Sequence, residues 1–82
     1  MWFVYALYNP LVGKIYIGET GDIVRRLHEH NEKRGNHFTA KVDGNWNLIY
    51  KEQVESRKQA LVREKQLKSY RGREFIKQYI PL

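Results

Sequence analysis

The chain has 82 residues and no cysteine, and its fifteen Lys and Arg against nine Asp and Glu leave a net charge of +6. That length makes one domain, residues 1–82, and excludes a second core, disulfides, thiolate zinc sites and thiol nucleophiles. No run approaches the ~18 apolar residues of a membrane span, and Met-Trp-Phe-Val-Tyr is too short and uncharged for a signal peptide, so a cytoplasmic home is expected.

Trp2 to Tyr8 is rich in aromatic and β-branched residues and predicts a strand. Asn9-Pro10-Leu11-Val12-Gly13 carries turn chemistry, and Ile15 to Ile17 returns as a second strand. With a four-residue loop, Tyr8 pairs with Gly13 and Tyr5 falls opposite Tyr16, placing two phenols side by side. Gly18-Glu19-Thr20-Gly21-Asp22 then starts a helix, capped by Thr20 or Asp22 and running to about Asn31, with Ile23, Leu27 and Val24 as its apolar stripe.

Glu32 to Asn45 is polar and glycine-containing and predicts a long loop, a length often tied to function. Trp46 to Glu52 predicts a third strand with Trp46, Leu48 and Tyr50 on one face and Ile49 on the other. Ser56-Arg57-Lys58-Gln59 has the form of a capping box opening a second helix, with Ala60, Leu61 and Leu67 apolar and Val62 at the side. Arg71 to Tyr79 predicts a final short helix packing through Phe75, Ile76, Tyr79 and Ile80. The expected fold is α/β, a small, largely antiparallel three-stranded sheet flanked by three helices.

Several side chains have the right types for chemistry, each beside a plainer reading. Glu64 falls within the apolar arc of the second helix, where a carboxylate is costly unless paired, protonated or bound to metal. It suits Mg²⁺, which takes one or two carboxylates and keeps waters for a phosphate; the plainer reading is a glutamate flanking the core and reaching Lys or Arg. Arg26 and His30, one turn apart, project together, the first able to fork onto a phosphate oxygen and the second to move a proton near neutral pH. Ordinary helix-surface polarity would look the same. Tyr5 and Tyr16 would usually pack with a hydroxyl at the rim, and a phenol of pKa ~10 becomes a base only beside cations or a metal. Zinc ligation by His28, His30 or His37 lacks the usual spacing, no Walker loop exists, and Ser56 and Ser69 lack a nucleophile elbow.

Taken jointly, Val4-Tyr5, Gly13-Lys14, Tyr16-Ile17-Gly18-Glu19-Thr20, Arg25-Arg26-Leu27, Glu29-His30-Asn31 and Arg63-Glu64-Lys65 resemble the GIY-YIG nuclease family, in its small stand-alone single-domain form, from Phe3 to about Lys68. Phe3-Val4-Tyr5 stands in place of the name-giving Gly-Ile-Tyr, Glu19 stands where some members carry a basic residue, and Gln78 is the stand-in for the supporting asparagine of many larger members. The resemblance implies a metal-dependent endonuclease hydrolysing DNA, structure-directed or weakly sequence-specific, acting in repair or recombination. It implies catalytic Tyr5, Tyr16, Arg26, His30 and Glu64, with Glu64 holding one Mg²⁺ or Mn²⁺ per site. Which of Tyr5, Tyr16 and His30 is the base stays open. Lys14, Arg25, Lys33, Arg34 and Lys41 are the expected phosphate contacts on the rim, in keeping with the basic charge.

Two other classes remain: a nucleic-acid-binding module of the same fold with weak or lost catalysis, and a protein-interaction domain whose basic helices dock an acidic partner. DNA is favoured over RNA and no membrane is expected, while a protein partner or homodimer is undetermined.

Overall fold

The computed structural model describes residues 1–33 and 38–81. In chain order come strands β1 (Trp2–Asn9) and β2 (Lys14–Thr20), helix α1 (Ile23–Asn31), a 3₁₀ turn (Phe38–Lys41), strand β3 (Asn47–Val54), and helices α2 (Arg57–Lys68) and α3 (Tyr70–Lys77). The sheet is antiparallel in the order β2-β1-β3. The architecture is therefore the expected α/β one.

The hairpin register differs from the expected one. Tyr8 lies opposite Ile15, Leu7 opposite Tyr16, and Tyr5 opposite Gly18. Asn9 joins β1 by pairing with Lys14, so the turn starts one residue later; its carbonyl accepts from the Gly13 N–H at 2.8 Å, with Gly13 at φ +68°. The buried Asn9 amide anchors this turn by accepting from Leu11 N at 3.0 Å and donating to the Asp43 carbonyl at 2.8 Å. Because the pairing moved by an even step, no side chain changed face. Tyr5 and Tyr16 remain on one face as diagonal neighbours instead of directly opposed.

A second departure lies in β3. Leu7 pairs with Leu48 and Ala6 with Tyr50, so Ile49 is an extra residue in a bulge. Leu48 packs with Tyr5, Leu7 and Trp46, whereas Ile49 and Tyr50 both join the opposite core. Tyr50 thus parts from the face shared by Trp46 and Leu48.

The two faces are covered differently. Val4, Ala6 and Ile17 meet Ala60 and Leu67 of α2 and Ile76 of α3 on one side. Tyr5, Leu7 and Trp46 meet Ile23 and Leu27 of α1 and Val42 on the other. The α1 stripe runs Ile23, Leu27, His30 at helical spacing, which leaves Val24 65% exposed and outside it. Asp22 caps α1 by accepting from Arg25 N at 3.0 Å, and Ser56 caps α2 by accepting from Gln59 N at 3.2 Å. The Gln59 side chain reaches one residue past the cap, to Glu55 N. Leu61 and Val62 are exposed, so α2 buries a narrower arc than expected. On α3, Phe75 and Ile76 pack inward, and Tyr50, Phe75 and Tyr79 form a ring cluster with centroids 5.0–5.5 Å apart.

The stretch read as a loop is partly built. Asn31 brackets Trp46 by accepting from its N–H at 2.7 Å and donating to its carbonyl at 3.0 Å. The Lys33 ammonium donates to the carbonyls of Gly44 at 2.7 Å, Val42 at 2.9 Å and Thr39 at 3.4 Å. Arg34 and His37 lie outside the described residues.

Candidate active site

The site grows from the sheet face covered by α1. β1 presents Tyr5, β2 presents Tyr16, and α1 presents Arg26 and His30. The Tyr5 and Tyr16 ring centroids are 6.3 Å apart, and Tyr16 lies 4.9 Å from the His30 ring. The Tyr5 hydroxyl is 2.8 Å from His30 Nε2, and the Arg26 guanidinium lies close enough to the same oxygen to pull its pKa down. Gly18 makes room: a β-carbon there would stand 2.7 Å from the Tyr5 hydroxyl and 2.9 Å from a Tyr16 ring carbon.

Burial grades the site. Tyr5 and His30 are 1% and 2% exposed, whereas Tyr16, Arg26 and Glu64 are half-buried at its margin. Burial pushes the Tyr5 phenol well above its ordinary range; the Arg26 hydrogen bond and charge pull the other way, and the nearby Tyr16 and Glu64 add to the rise. Burial opposes the Arg26 charge, but Tyr5 and Glu29 outweigh it and raise its pKa, Glu29 through a 3.2 Å ion pair.

Glu64, on α2, is close enough for its charge to bear on Tyr5, and its Oε2 pairs with Lys68 Nζ at 3.0 Å. No group of three or more His, Cys, Asp or Glu able to hold a metal occurs among the described residues. Glu64 by itself still fits a magnesium-type ion, since it is a hard oxygen donor at a half-exposed position and such ions retain much of their water. Lys68 competes for that carboxylate. Glu19 packs towards α2, with one oxygen 3.8 Å from Arg57 Nη2 and the other buried without a hydrogen-bond partner.

The expected rim residues divide. Lys14, Arg25 and Lys41 are exposed. The Lys33 ammonium is held by the carbonyls of Thr39, Val42 and Gly44. Two cavities of about 340 and 330 Å³ border α2, one lined with α3 and one with β3, and neither includes any of the five catalytic candidates. Sequence reading missed Thr39, fully buried with Oγ1 2.6 Å from His30 Nδ1. It sat in a polar stretch with no periodicity to mark it.

A tyrosine pair from two strands thus meets an arginine and a histidine of the next helix on a small three-stranded sheet. Residues 1–79 match the family described as the GIY-YIG catalytic domain, and the chain belongs to that family of nuclease-type domains. It is similar to the UPF0213 proteins of Staphylococcus aureus strains Mu3 and Mu50, each 36% identical over 58 residues, covering 71% of this chain and 70% of theirs. The solution NMR structure of the UPF0213 protein BH0048 from Bacillus halodurans superposes with a TM-score of 0.55 at 28% identity, covering 95% of this chain and 84% of that one.

Proposed function

We propose that this chain is a metal-dependent endonuclease that hydrolyses DNA phosphodiesters, one strand per site, with structure-directed or weak sequence selectivity, in repair or recombination. The observation that carries the reading is the Tyr5 oxygen, buried yet 2.8 Å from His30 Nε2 and near enough to the Arg26 guanidinium to feel its charge. Packing a tyrosine in the core asks for a hydrogen-bond partner at its hydroxyl, not for a cation beside it as well.

In this reading Tyr5, as phenolate, takes a proton from the attacking water as the water oxygen bonds to phosphorus. The opposite P–O bond breaks, and the leaving oxygen keeps the bond pair and takes a proton from solvent. Tyr16 orients Tyr5. Arg26 offsets charge developing on a non-bridging oxygen. Glu64 would hold Mg²⁺ or Mn²⁺, which when bound supplies Lewis-acid stabilisation of the phosphate. Lys14, Arg25 and Lys41 grip flanking phosphates, and Arg34 is expected with them. The reading places the enzyme in the cytoplasm; no helix among the described residues is long and apolar enough to cross a membrane.

One observation favours the binding-module alternative. Glu64 is paired with Lys68 and Arg26 with Glu29, so both charges are partly satisfied without metal or substrate. Incubating the chain with Mg²⁺ or Mn²⁺ and labelled single-stranded, duplex, flapped and branched DNA, with RNA counterparts, decides between them. Metal-dependent nicking is expected; binding without nicking on every substrate leaves the module reading.

A further inference from the structure

We infer that Thr39 fixes the tautomer of His30, so that His30 donates its Nε2 hydrogen to the Tyr5 oxygen and clamps that oxygen instead of removing its proton. The tautomer rests on counting hydrogens; only its catalytic meaning rests on the nuclease reading above.

The count starts at Thr39. Its side chain is fully buried, and among the described residues His30 Nδ1, at 2.6 Å, is the one acceptor its hydroxyl reaches. Its backbone carbonyl accepts from Lys33 Nζ and Trp46 Nε1, both at 3.4 Å, which helps hold the residue in place. A hydroxyl has one hydrogen to give, and a neutral imidazole has one N–H and one bare nitrogen. If Thr39 donates to Nδ1, the ring hydrogen sits on Nε2, 2.8 Å from the Tyr5 oxygen. The opposite tautomer turns N–H towards the Thr39 oxygen and strands the hydroxyl hydrogen in the interior, as does imidazolium, at the cost of an orphaned buried donor. With Tyr5 neutral the Nε2–H form strands the phenol hydrogen instead, so the arrangement with every hydrogen placed is Nε2–H facing an ionised Tyr5.

The same count then reaches Tyr5. Its oxygen faces two donors, His30 Nε2–H and the Arg26 guanidinium. A neutral phenol must aim its own hydrogen away from both, whereas a phenolate accepts both with no hydrogen left over. The array therefore suits an ionised Tyr5 and works against the effect of its burial. Thr39 is a positioning residue: it acts on Tyr5 through His30.

The test uses the full chain labelled with ¹⁵N-histidine, read by long-range ¹H–¹⁵N correlation at neutral pH, with His28→Gln and His37→Gln separating the three histidines. The expected His30 pattern has Nε2 protonated and Nδ1 bare. Thr39→Val removes the donor at nearly constant shape and should shift His30 towards a mixture, while Thr39→Ser restores the pattern. With Mg²⁺ or Mn²⁺, Thr39→Val should cut ~10–100-fold more slowly, the scale on which a histidine's orienting partner acts, with DNA affinity unchanged and Thr39→Ser recovering the rate. A protonated Nδ1 in the unmodified chain, or a Thr39→Val spectrum matching it, overturns the inference. Should Thr39→Val fail to fold, the unmodified chain's spectrum decides alone. If nothing cuts, the nuclease reading falls and the spectra still settle the tautomer.

Discussion

Tyr5 occupies the space a side chain at Gly18 would need, since the two residues face each other across the hairpin and a β-carbon would stop 2.7 Å from the Tyr5 hydroxyl. The tyrosine cannot yield freely, because His30 holds its far end. Gly18→Ala should therefore misplace both tyrosine rings. The expected outcome is at least ~10-fold slower cleavage together with ~1–3 kcal/mol lower stability, the usual cost of overpacking. Kinetics and urea unfolding on the same variant check it; normal values for both would show that the rings are free to move.

Removing charge at the site should separate catalysis from folding. Glu64→Gln gives up an i,i+4 pair with Lys68 that is worth only about 0.3–0.5 kcal/mol, so the melting temperature should barely move while metal-dependent nicking collapses. Arg26→Ala should cost roughly 10²–10³-fold in rate, as for one lost preorganised contact. Tyr5→Phe should lose activity and also ~1–3 kcal/mol, because His30 Nε2 is left without its buried partner. A Glu64→Gln chain that nicks normally with added Mg²⁺ ends the proposed mechanism.

The basic residues should fall into two groups. Lys14→Gln, Arg25→Gln and Lys41→Gln each ought to lower the log–log salt slope of DNA binding by about one unit. Lys33→Met should leave that slope nearly unchanged and instead destabilise the chain by ~1–3 kcal/mol, since the Val42 and Gly44 carbonyls lose the Lys33 donor while Thr39 keeps only Trp46. Fluorescence titrations over a salt series, paired with thermal melts, distinguish the two behaviours.

Acid should weaken one cross-link between sheet and helix. Partial burial works against the Glu52 charge, but the Tyr50 hydroxyl at 2.6 Å and the Arg63 guanidinium at 3.0–3.2 Å outweigh it and hold the carboxyl below its ordinary range. A carboxyl depressed on folding stabilises fully above its unfolded pKa of about 4.3 and loses that contribution as pH falls through the lower folded value. Stability should thus hold from neutrality to about pH 5 and decline below roughly pH 4. Glu52→Gln should flatten that decline and cost about 1 kcal/mol at pH 7, less any solvent screening at this half-exposed pair. Urea midpoints at pH 7 and pH 3 test both.

The sequence displayed some of this design and hid the rest for physical reasons. Arg26 and His30 were legible as neighbours because helical spacing alone places residues four apart on one side. Tyr5 and Tyr16 were legible as sharing a face because strand alternation survives an even slip, although their direct opposition was not. The Ile49 bulge has no marker in its residue types and changes which side Tyr50 serves. Lys33 and Thr39 work through contacts closed by the fold between an irregular stretch and its surroundings, and such contacts follow no period.

The bulge also sets where this chain can tolerate a change of length. Ahead of Ile49, β3 keeps time with the tyrosine side through Leu48; from Ile49 on it keeps time with the side packed by α2 and α3. Deleting that one residue would make Leu48 and Tyr50 consecutive opposite Leu7 and Ala6, a regular ladder in which each keeps its present face and only the Ile49 side chain is lost. Turns at the surface can lengthen cheaply, and within β3 the bulge is where a residue can be lost with both faces kept in phase.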